Sequence, residues 1–320
     1  MTAEHALMAK VADLYHLRHL TQQQIADRLG LSRPAVSRLL ARARARGIVR
    51  IEIALPEASH RALERELEER YGLLEAVVVT GRSESPAATR RVVGEAAARY
   101  LGRRLRRGQR IGISWGTTVQ ATVEQVTARR LGVTVVPLVG GVGQVTPGIH
   151  ANELASRLAE RLDGRVHLLH APAVVAQRGV RDALLSDPDV RGALEAARRS
   201  QVALVGLGAL IASSTLVRTG YFTAEDLKAL RRRGAVGDVC TRLFTRDGLP
   251  ADAALDRRIL AVDLDDLRRI PTVVGVAGGM EKADAIAGAL RGRLVNVLIT
   301  DHLAARAVVR ASRETAEAAR

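Results

Sequence analysis

Two short glycine-bearing stretches carry groups suited to holding a phosphate ester. Gly112–Thr118 reads GISWGTT: a strand ends at Ser114, the chain turns through Gly116, and a helix opens on Thr117 and Thr118. A helix start leaves backbone N–H groups without intrahelical partners and carries the positive end of the macrodipole, so an anion can dock there. The hydroxyls of Ser114, Thr117 and Thr118 lie beside it. The spacing is neither that of a P-loop nor the dinucleotide GxGxxG, and an ordinary capped strand-to-helix turn would look the same. The second stretch, Val273–Ile286, ends a strand at Gly278 and Gly279 and places Lys282 in the first turn of the next helix. A cation there opposes the macrodipole unless an anion relieves it, and Glu281 does so only in part. All but three of the 49 basic residues are arginine, the others being Lys10, Lys228 and Lys282, so a lysine at this position stands out.

Other residues are suited to sugar hydroxyls. Pro137–Gln144, PLVGGVGQ, puts glycines at the end of a strand, and Gly141 lets a ligand approach the backbone closely. His150 and Asn152 follow and can exchange hydrogen bonds with a polyol. Asp238, in GAVGDV, is an acceptor for the same groups or a turn residue. Asp238 and Asp301 are also the candidate general bases if the chain is an enzyme acting on sugar phosphates, yet no dense Asp/Glu/His constellation surrounds the glycine loops.

A different chemistry sits in the first 50 residues. They hold nine basic and three acidic side chains, and from Ser32 to Arg50 there are six arginines and no acid. One-sided charge beside an apolar helical pattern points to phosphate contact. Leu7, Val11, Leu14 and Leu17 form one face of a first helix. Thr21 and Gln24 make a capping box for a second, whose apolar face is Ile25 and Leu29, with small Ala26 at the crossing and Gly30 as its left-handed stop. Ser32 caps a third helix, Pro34 stands in its first turn, and Val36, Leu39 and Leu40 face inward. This is a helix-turn-helix. Its DNA-contact candidates are Thr21, Gln22 and Gln23 from the second helix and Ser32, Arg33, Ala35, Ser37, Arg38 and Arg42 from the third.

The elements that position these groups follow from periodicity. Ile48, Val49, Ile51 and Ile53 read as a short wing strand, Pro56 breaks the chain, and Glu57–Arg70 reads as a linker helix. Beyond it, β-branched runs alternate with helical segments: Val77–Thr80, Arg110–Ser114, Val133–Val139, Val166–Leu169, Val202–Gly206, Thr272–Val276 and Val295–Thr300 are the expected strands. Apolar strands separated by amphipathic helices imply an α/β fold, a doubly wound, mostly parallel sheet covered on both faces. The expected organisation is a helix-turn-helix domain over 1–55, a linker helix over 56–74 and an effector-binding and oligomerisation domain over 75–320.

Composition closes off several classes. The chain has 320 residues, 47% apolar, so it builds a sizeable core. Two Phe, four Tyr and one Trp are too few for an aromatic platform that stacks single-stranded bases. A net charge of +15 favours polyanionic partners. The single Cys240 allows neither an internal disulfide nor a cysteine-rich zinc site. The longest strongly apolar stretch, Val202–Ala212, is too short for a bilayer, and no signal peptide is visible, so a cytoplasmic protein without membrane partner, metal or cofactor is expected. A nucleoid-type DNA binder fits the charge but leaves the α/β domain without a task.

Taken together, TQQQIADRLGLSRPAVSRLL, GISWGTT, PLVGG with HANELA, LHAP, GAVGDV, AGGMEKADAI and VNVLITD resemble, in this order and over nearly the whole chain, the SorC family of bacterial transcriptional regulators. The resemblance implies operator double-stranded DNA bound by the N-terminal helices, and an effector domain folded like ribose-5-phosphate isomerase and glucosamine-6-phosphate deaminase. It further implies a phosphorylated sugar as effector, no enzymatic turnover, and a homotetramer built as a dimer of dimers. Carried onto this sequence, Gly116, Thr117 and Thr118 cradle the phosphate, Lys282 is its countercharge, and Asn152, Asp238 and His150 line the sugar site. Pro137–Gly143 holds no Arg or Lys, which favours a monophosphate unless Arg178 or Arg242 supplies a second charge.

Overall fold

A computed structural model describes residues 3–49, 60–81, 85–143, 148–212 and 214–318. The chain divides into two compact units, Met1–Glu57 and Ala58–Arg320.

The first unit contains α1 (Ala3–His16), α2 (Gln22–Leu29) and α3 (Arg33–Ala45). The capping box forms as expected: Gln24 N–H donates to Thr21 Oγ1, and Thr21 N–H donates to Gln24 Oε1 at 2.9 Å. Gly30 takes a left-handed backbone, φ 66°, and its N–H returns to Ala26 O. Ser32 Oγ accepts from Ala35 N–H. Val11, Leu14, Ile25, Ala26, Val36 and Leu40 form the core. Leu17 departs from the expected face: α1 stops at His16, and Leu17 is 74% exposed. Met8, Ala12 and Ala43 take up a second small cluster instead, with Ile48 and Val49 against it. Ile51 and Ile53 of the expected wing lie outside the described residues.

In the second unit α4 (Arg61–Tyr71) precedes a seven-stranded sheet. Its strands are β1 (Glu75–Val79), β2 (Arg110–Ile113), β3 (Thr134–Pro137), β4 (Arg165–Val166), β5 (Val202–Gly206), β9 (Thr272–Val276) and β10 (Val297–Asp301). They lie in the order β1-β10-β9-β5-β2-β3-β4, all neighbours parallel. Helices α5 (Pro86–Arg104), α6 (Thr117–Gln125), α7 (Ala151–Arg161), α8 (Arg178–Ser186) and α9 (Pro188–Arg198) occupy the first crossovers. Side chains alternate across a strand, and here the alternation splits the core in two. Val202 and Leu204 join the cluster with Val93, Leu101, Leu154 and Leu158, while Ala203 and Val205 join the cluster with Leu264, Leu267 and Leu290. Both faces of the sheet are therefore covered, which is the doubly wound arrangement.

The sequence pattern missed one element. β6 (Gly208–Ala209), β7 (Ala235–Val239) and β8 (Arg242–Thr245) form a separate antiparallel sheet. Its hairpin turns through Cys240 and Thr241, at φ 51° and 67°. Two successive positive φ angles are the signature of a type I′ turn, usually written Asn-Gly, so this sequence does not announce it.

Candidate functional site

In a parallel sheet, ligands collect at the carboxyl ends of the strands. The carboxyl ends of three neighbours, β2, β5 and β9, open onto one small cavity of about 60 Å³. Its lining includes Gly116, Thr117 and Thr118 after β2, Gly206–Gly208 at the end of β5, Asp238 and Cys240 from the hairpin, and Lys282 after β9. The two stretches first singled out, some 165 residues apart, thus meet in one place.

The candidate anion cradle is the start of α6. Gly116 precedes the helix at φ 127° and ψ 160°, a conformation open only to glycine, and no side chain caps the helix there. Gly116 N–H is spent on Ile149 O at 3.2 Å, while the amides of Thr117 and Thr118, both at the cavity, precede the first intrahelical bond, Gln120 N–H to Gly116 O, and have no partner among the described residues. Ser114 does not line the cavity. Its buried hydroxyl accepts from Gly206 N–H at 3.1 Å and donates to Trp115 O, strapping β2 to β5.

Lys282 ends a three-residue 3-10 turn, Met280–Lys282, just before the helix Ala283–Arg291, rather than standing inside that helix. No hydrogen bond or ion pair holds its ammonium among the described residues. Burial pushes its pKa down, and the charges of Asp238 and Glu281 partly offset this. Asp238 is buried, and desolvation raises its pKa to about 6 against the pull of Lys282 and a hydrogen bond from Thr241 N–H. Gly208 packs closely beside it: a Cβ there would lie 1.7 Å from Asp238 Oδ1, so any side chain would displace the carboxylate from its present position. The hairpin that carries Asp238 is pinned by Trp115, whose indole N–H donates to Thr241 Oγ1 at 3.1 Å. An uncapped helix start, an unpaired ammonium and a buried carboxyl therefore share one cavity, a pattern suited chemically to an anion at one end and hydroxyl groups at the other.

Three further candidates lie elsewhere. Asn152 clamps backbone: its amide donates to Leu169 O and accepts from Leu169 N–H, both at 3.1 Å. His150 precedes α7 without capping it. Gly141 bonds through its backbone to Ala171 and Ala173. None of the three borders the cavity. Arg242 is buried, bonded to Val262 O, Ala261 O and Asp256, and Arg178 pairs with Asp182 on the exposed face of α8, so neither faces the cavity as a second countercharge. Asp301 accepts from the amides of Gly279, Leu303 and Ala304, a structural assignment that absorbs its carboxylate. Sequence reasoning overlooked Gly206, Gly208 and Thr215. The glycines at the end of the buried run Val202–Gly206 were the available signal, because that run ends where parallel strands present ligands.

In the smaller unit, Thr21, Gln23, Ser32, Arg33, Ser37 and Arg38 are exposed, and Gln22 and Ala35 are half-buried. Arg33 and Arg38 have no ion-pair partner among the described residues. Arg42 differs, since its guanidinium pairs with Glu4 at 2.9 Å. Gln23 donates to Asp27.

Known proteins agree with this division. The Sugar-bind family model, a sugar-binding domain, matches residues 57–310, and a MarR family model matches residues 14–57. The chain is 36% identical over 304 residues to the deoxyribonucleoside regulator of Bacillus subtilis, covering 95% of this chain and 97% of that one. It is 36% identical over 312 residues to the transcriptional regulator LsrR of Klebsiella pneumoniae, covering 96% and 94%. The crystal structure of full-length sorbitol operon regulator SorC from Klebsiella pneumoniae superposes with a TM-score of 0.73 at 32% identity, covering 96% of this chain and all of that one. No helix among the described residues is long and apolar enough to cross a membrane. A regulator's DNA-binding helices joined to a sugar-binding domain, matched over almost their full length, place the chain in the SorC family of transcriptional regulators.

Proposed function

We propose that operator affinity is set by a phosphorylated sugar, a monophosphate, bound in the cavity at the ends of β2, β5 and β9. The convergence of the Thr117 and Thr118 amides with the unpaired Lys282 ammonium carries this reading. The phosphate sits at the α6 start, where N–H dipoles and the ammonium act together in a poorly hydrated site. Asp238 accepts from sugar hydroxyls, and Ser114, Gly141, His150 and Asn152 serve the site through the backbone around it. The single ammonium, with Arg178 and Arg242 engaged elsewhere, favours one phosphate over two.

Residues 1–55 bind double-stranded operator DNA, with Arg33 and Arg38 at the groove. Residues 56–74 link them to an effector and oligomerisation domain over 75–320. Two copies related by a twofold axis read two half-sites, and the family resemblance extends that pair to a homotetramer, a dimer of dimers, in the cytoplasm. The effector shifts DNA affinity by its differential binding to two states, and a coupling of about 1–3 kcal/mol gives a 5–150-fold change. The chain needs no cofactor and turns nothing over.

One observation keeps a second reading in view. Asp238, with its pKa near 6 beside Lys282, would suit a general base of a sugar-phosphate isomerase or deaminase. Incubation with ribose 5-phosphate and glucosamine 6-phosphate separates the two. A regulator is stabilised against heat by its phosphorylated ligand and leaves it unchanged, whereas sustained turnover makes the chain an enzyme. Absence of stabilisation by every sugar phosphate in a broad panel overturns the effector reading.

A further inference from the structure

Helices α5, α6 and α7 end where β2, β3 and β4 begin, and the loops that join them lie side by side. Gly108 N–H donates to Leu131 O at 2.9 Å, and Arg129 N–H donates to Arg161 O at 2.8 Å. The three stretches 103–110, 126–134 and 160–165 hold nine arginines against two acids, Glu160 and Asp163. They stand at the amino ends of the parallel strands, whereas the cavity opens at the carboxyl ends.

Part of this charge has a structural task. The last turn of a helix is negative and leaves carbonyls without intrahelical partners. Arg106 donates to Arg103 O at 2.9 Å, Arg161 donates to Val126 O at 2.9 Å, and Arg129 donates to Gly102 O. Arg103 pairs with Glu75. The rest is not used in this way. Arg107, Arg130 and Arg165, one on each loop, are exposed, and their side chains have no hydrogen-bond or ion-pair partner among the described residues. Neither Glu160 nor Asp163 pairs with an arginine among the described residues. A guanidinium keeps its charge at every working pH, so these cations repel one another until an anion comes between them.

We propose that this face of the larger unit is a second contact for duplex DNA, holding the phosphate backbone outside the bases read by the helix-turn-helix. Neighbouring strands lie about 4.8 Å apart, so the three free guanidinium groups are rooted across about 10 Å. One phosphate ester cannot serve them all, but duplex DNA carries a charge for about every 1.7 Å of its axis. No aromatic residue stands on the three loops to stack an unpaired base. Their leucines, Leu105, Leu131 and Leu162, are buried, so a lipid surface would find no apolar anchor. The family places duplex DNA beside the chain in its working state. The inference depends neither on the ligand in the cavity nor on which side chains enter the groove.

The test is binding of the full chain to a random-sequence duplex of about 60 base pairs, followed by fluorescence anisotropy across a salt series. Arg33→Ala with Arg38→Ala weakens the helix-turn-helix contact and is expected to leave residual, salt-dependent binding. Adding Arg107→Ala, Arg130→Ala and Arg165→Ala should weaken that residue of binding at least about tenfold and lower the dependence of log affinity on log salt by about two to three units. Lysine at the same three positions keeps the point charges and should preserve both. All three side chains are exposed and unpaired, so an unchanged thermal midpoint verifies the fold. Equal binding with and without the three arginines overturns the proposal, as does a helix-turn-helix variant with no residual binding. So does a triple variant that binds DNA as the wild type does and loses only its hold on vesicles of anionic lipid or on an acidic peptide.

Discussion

Replacing Lys282 by Met removes the ammonium and keeps the length and apolar stem of the side chain. Its nitrogen has no hydrogen-bond or ion-pair partner among the described residues, so beyond its longer-range attraction to Asp238 and Glu281 little internal is lost, and the main effect falls on the ligand. Truncating one member of a buried, hydrogen-bonded charge pair costs about 2–5 kcal/mol, which weakens binding from about 30-fold to several thousand-fold. The assay is thermal unfolding with the sugar phosphate that stabilises the wild type most. At 100 times its dissociation constant the ligand adds about 2.7 kcal/mol, and for a unit of this size that raises the midpoint by about 5–10 °C. At the same concentration the variant retains less than about 1 kcal/mol, because the ratio of ligand to dissociation constant falls to about 3 or lower. Unligated stability should change little, or rise slightly at neutral pH, since a partly buried and unpaired charge is gone. A midpoint shift in the variant equal to that of the wild type would refute the countercharge role and, with it, the placing of the phosphate.

Other outcomes follow from the same geometry. Gly116→Ala forces a side chain onto φ 127°, so it should destabilise the larger unit by about 1–3 kcal/mol in urea unfolding and weaken the phosphorylated ligand more than its unphosphorylated analogue. Asp238 has a folded pKa near 6 against an ordinary 3.8, so the folded protein holds a proton that the unfolded chain releases. Stability from this group is complete below the ordinary value and is lost as pH rises through about 6; wild type should lose about 2 kcal/mol more than Asp238→Asn between about pH 4 and pH 7, read by denaturant titration. Arg33→Ala and Arg38→Ala should each lower the dependence of log affinity on log salt by about one unit in operator binding, and variants that keep the wild-type slope would remove them from the DNA contact.

Much of this was legible in the chain because local rules decided it. The Thr21–Gln24 box, Gly30 and the Ser32 cap fix the helix-turn-helix through bonds within a few residues. The parallel strands announce themselves through β-branched runs, and the glycine ends of β2 and β9 mark where a ligand can approach. The roles of Ser114 and Asn152 were not legible, because whether a polar side chain faces a cavity or straps two backbones depends on partners such as Gly206 and Leu169, which lie far away in sequence. The β7–β8 hairpin was hidden for a related reason. Cys240 and Thr241 hold positive φ without the usual Asn-Gly, and a tertiary bond from Trp115 supports the turn.

The account stands on communication between the cavity and the DNA-binding helices. Fluorescence anisotropy of labelled operator DNA, titrated with the full chain with and without the stabilising sugar phosphate, measures it directly. The wild type should change its operator affinity about 5–150-fold on adding the sugar phosphate, whereas Lys282→Met should bind DNA as tightly as the unliganded wild type and ignore that concentration. An operator affinity that the ligand leaves unmoved in the wild type, while the same ligand raises its thermal midpoint, would contradict the account.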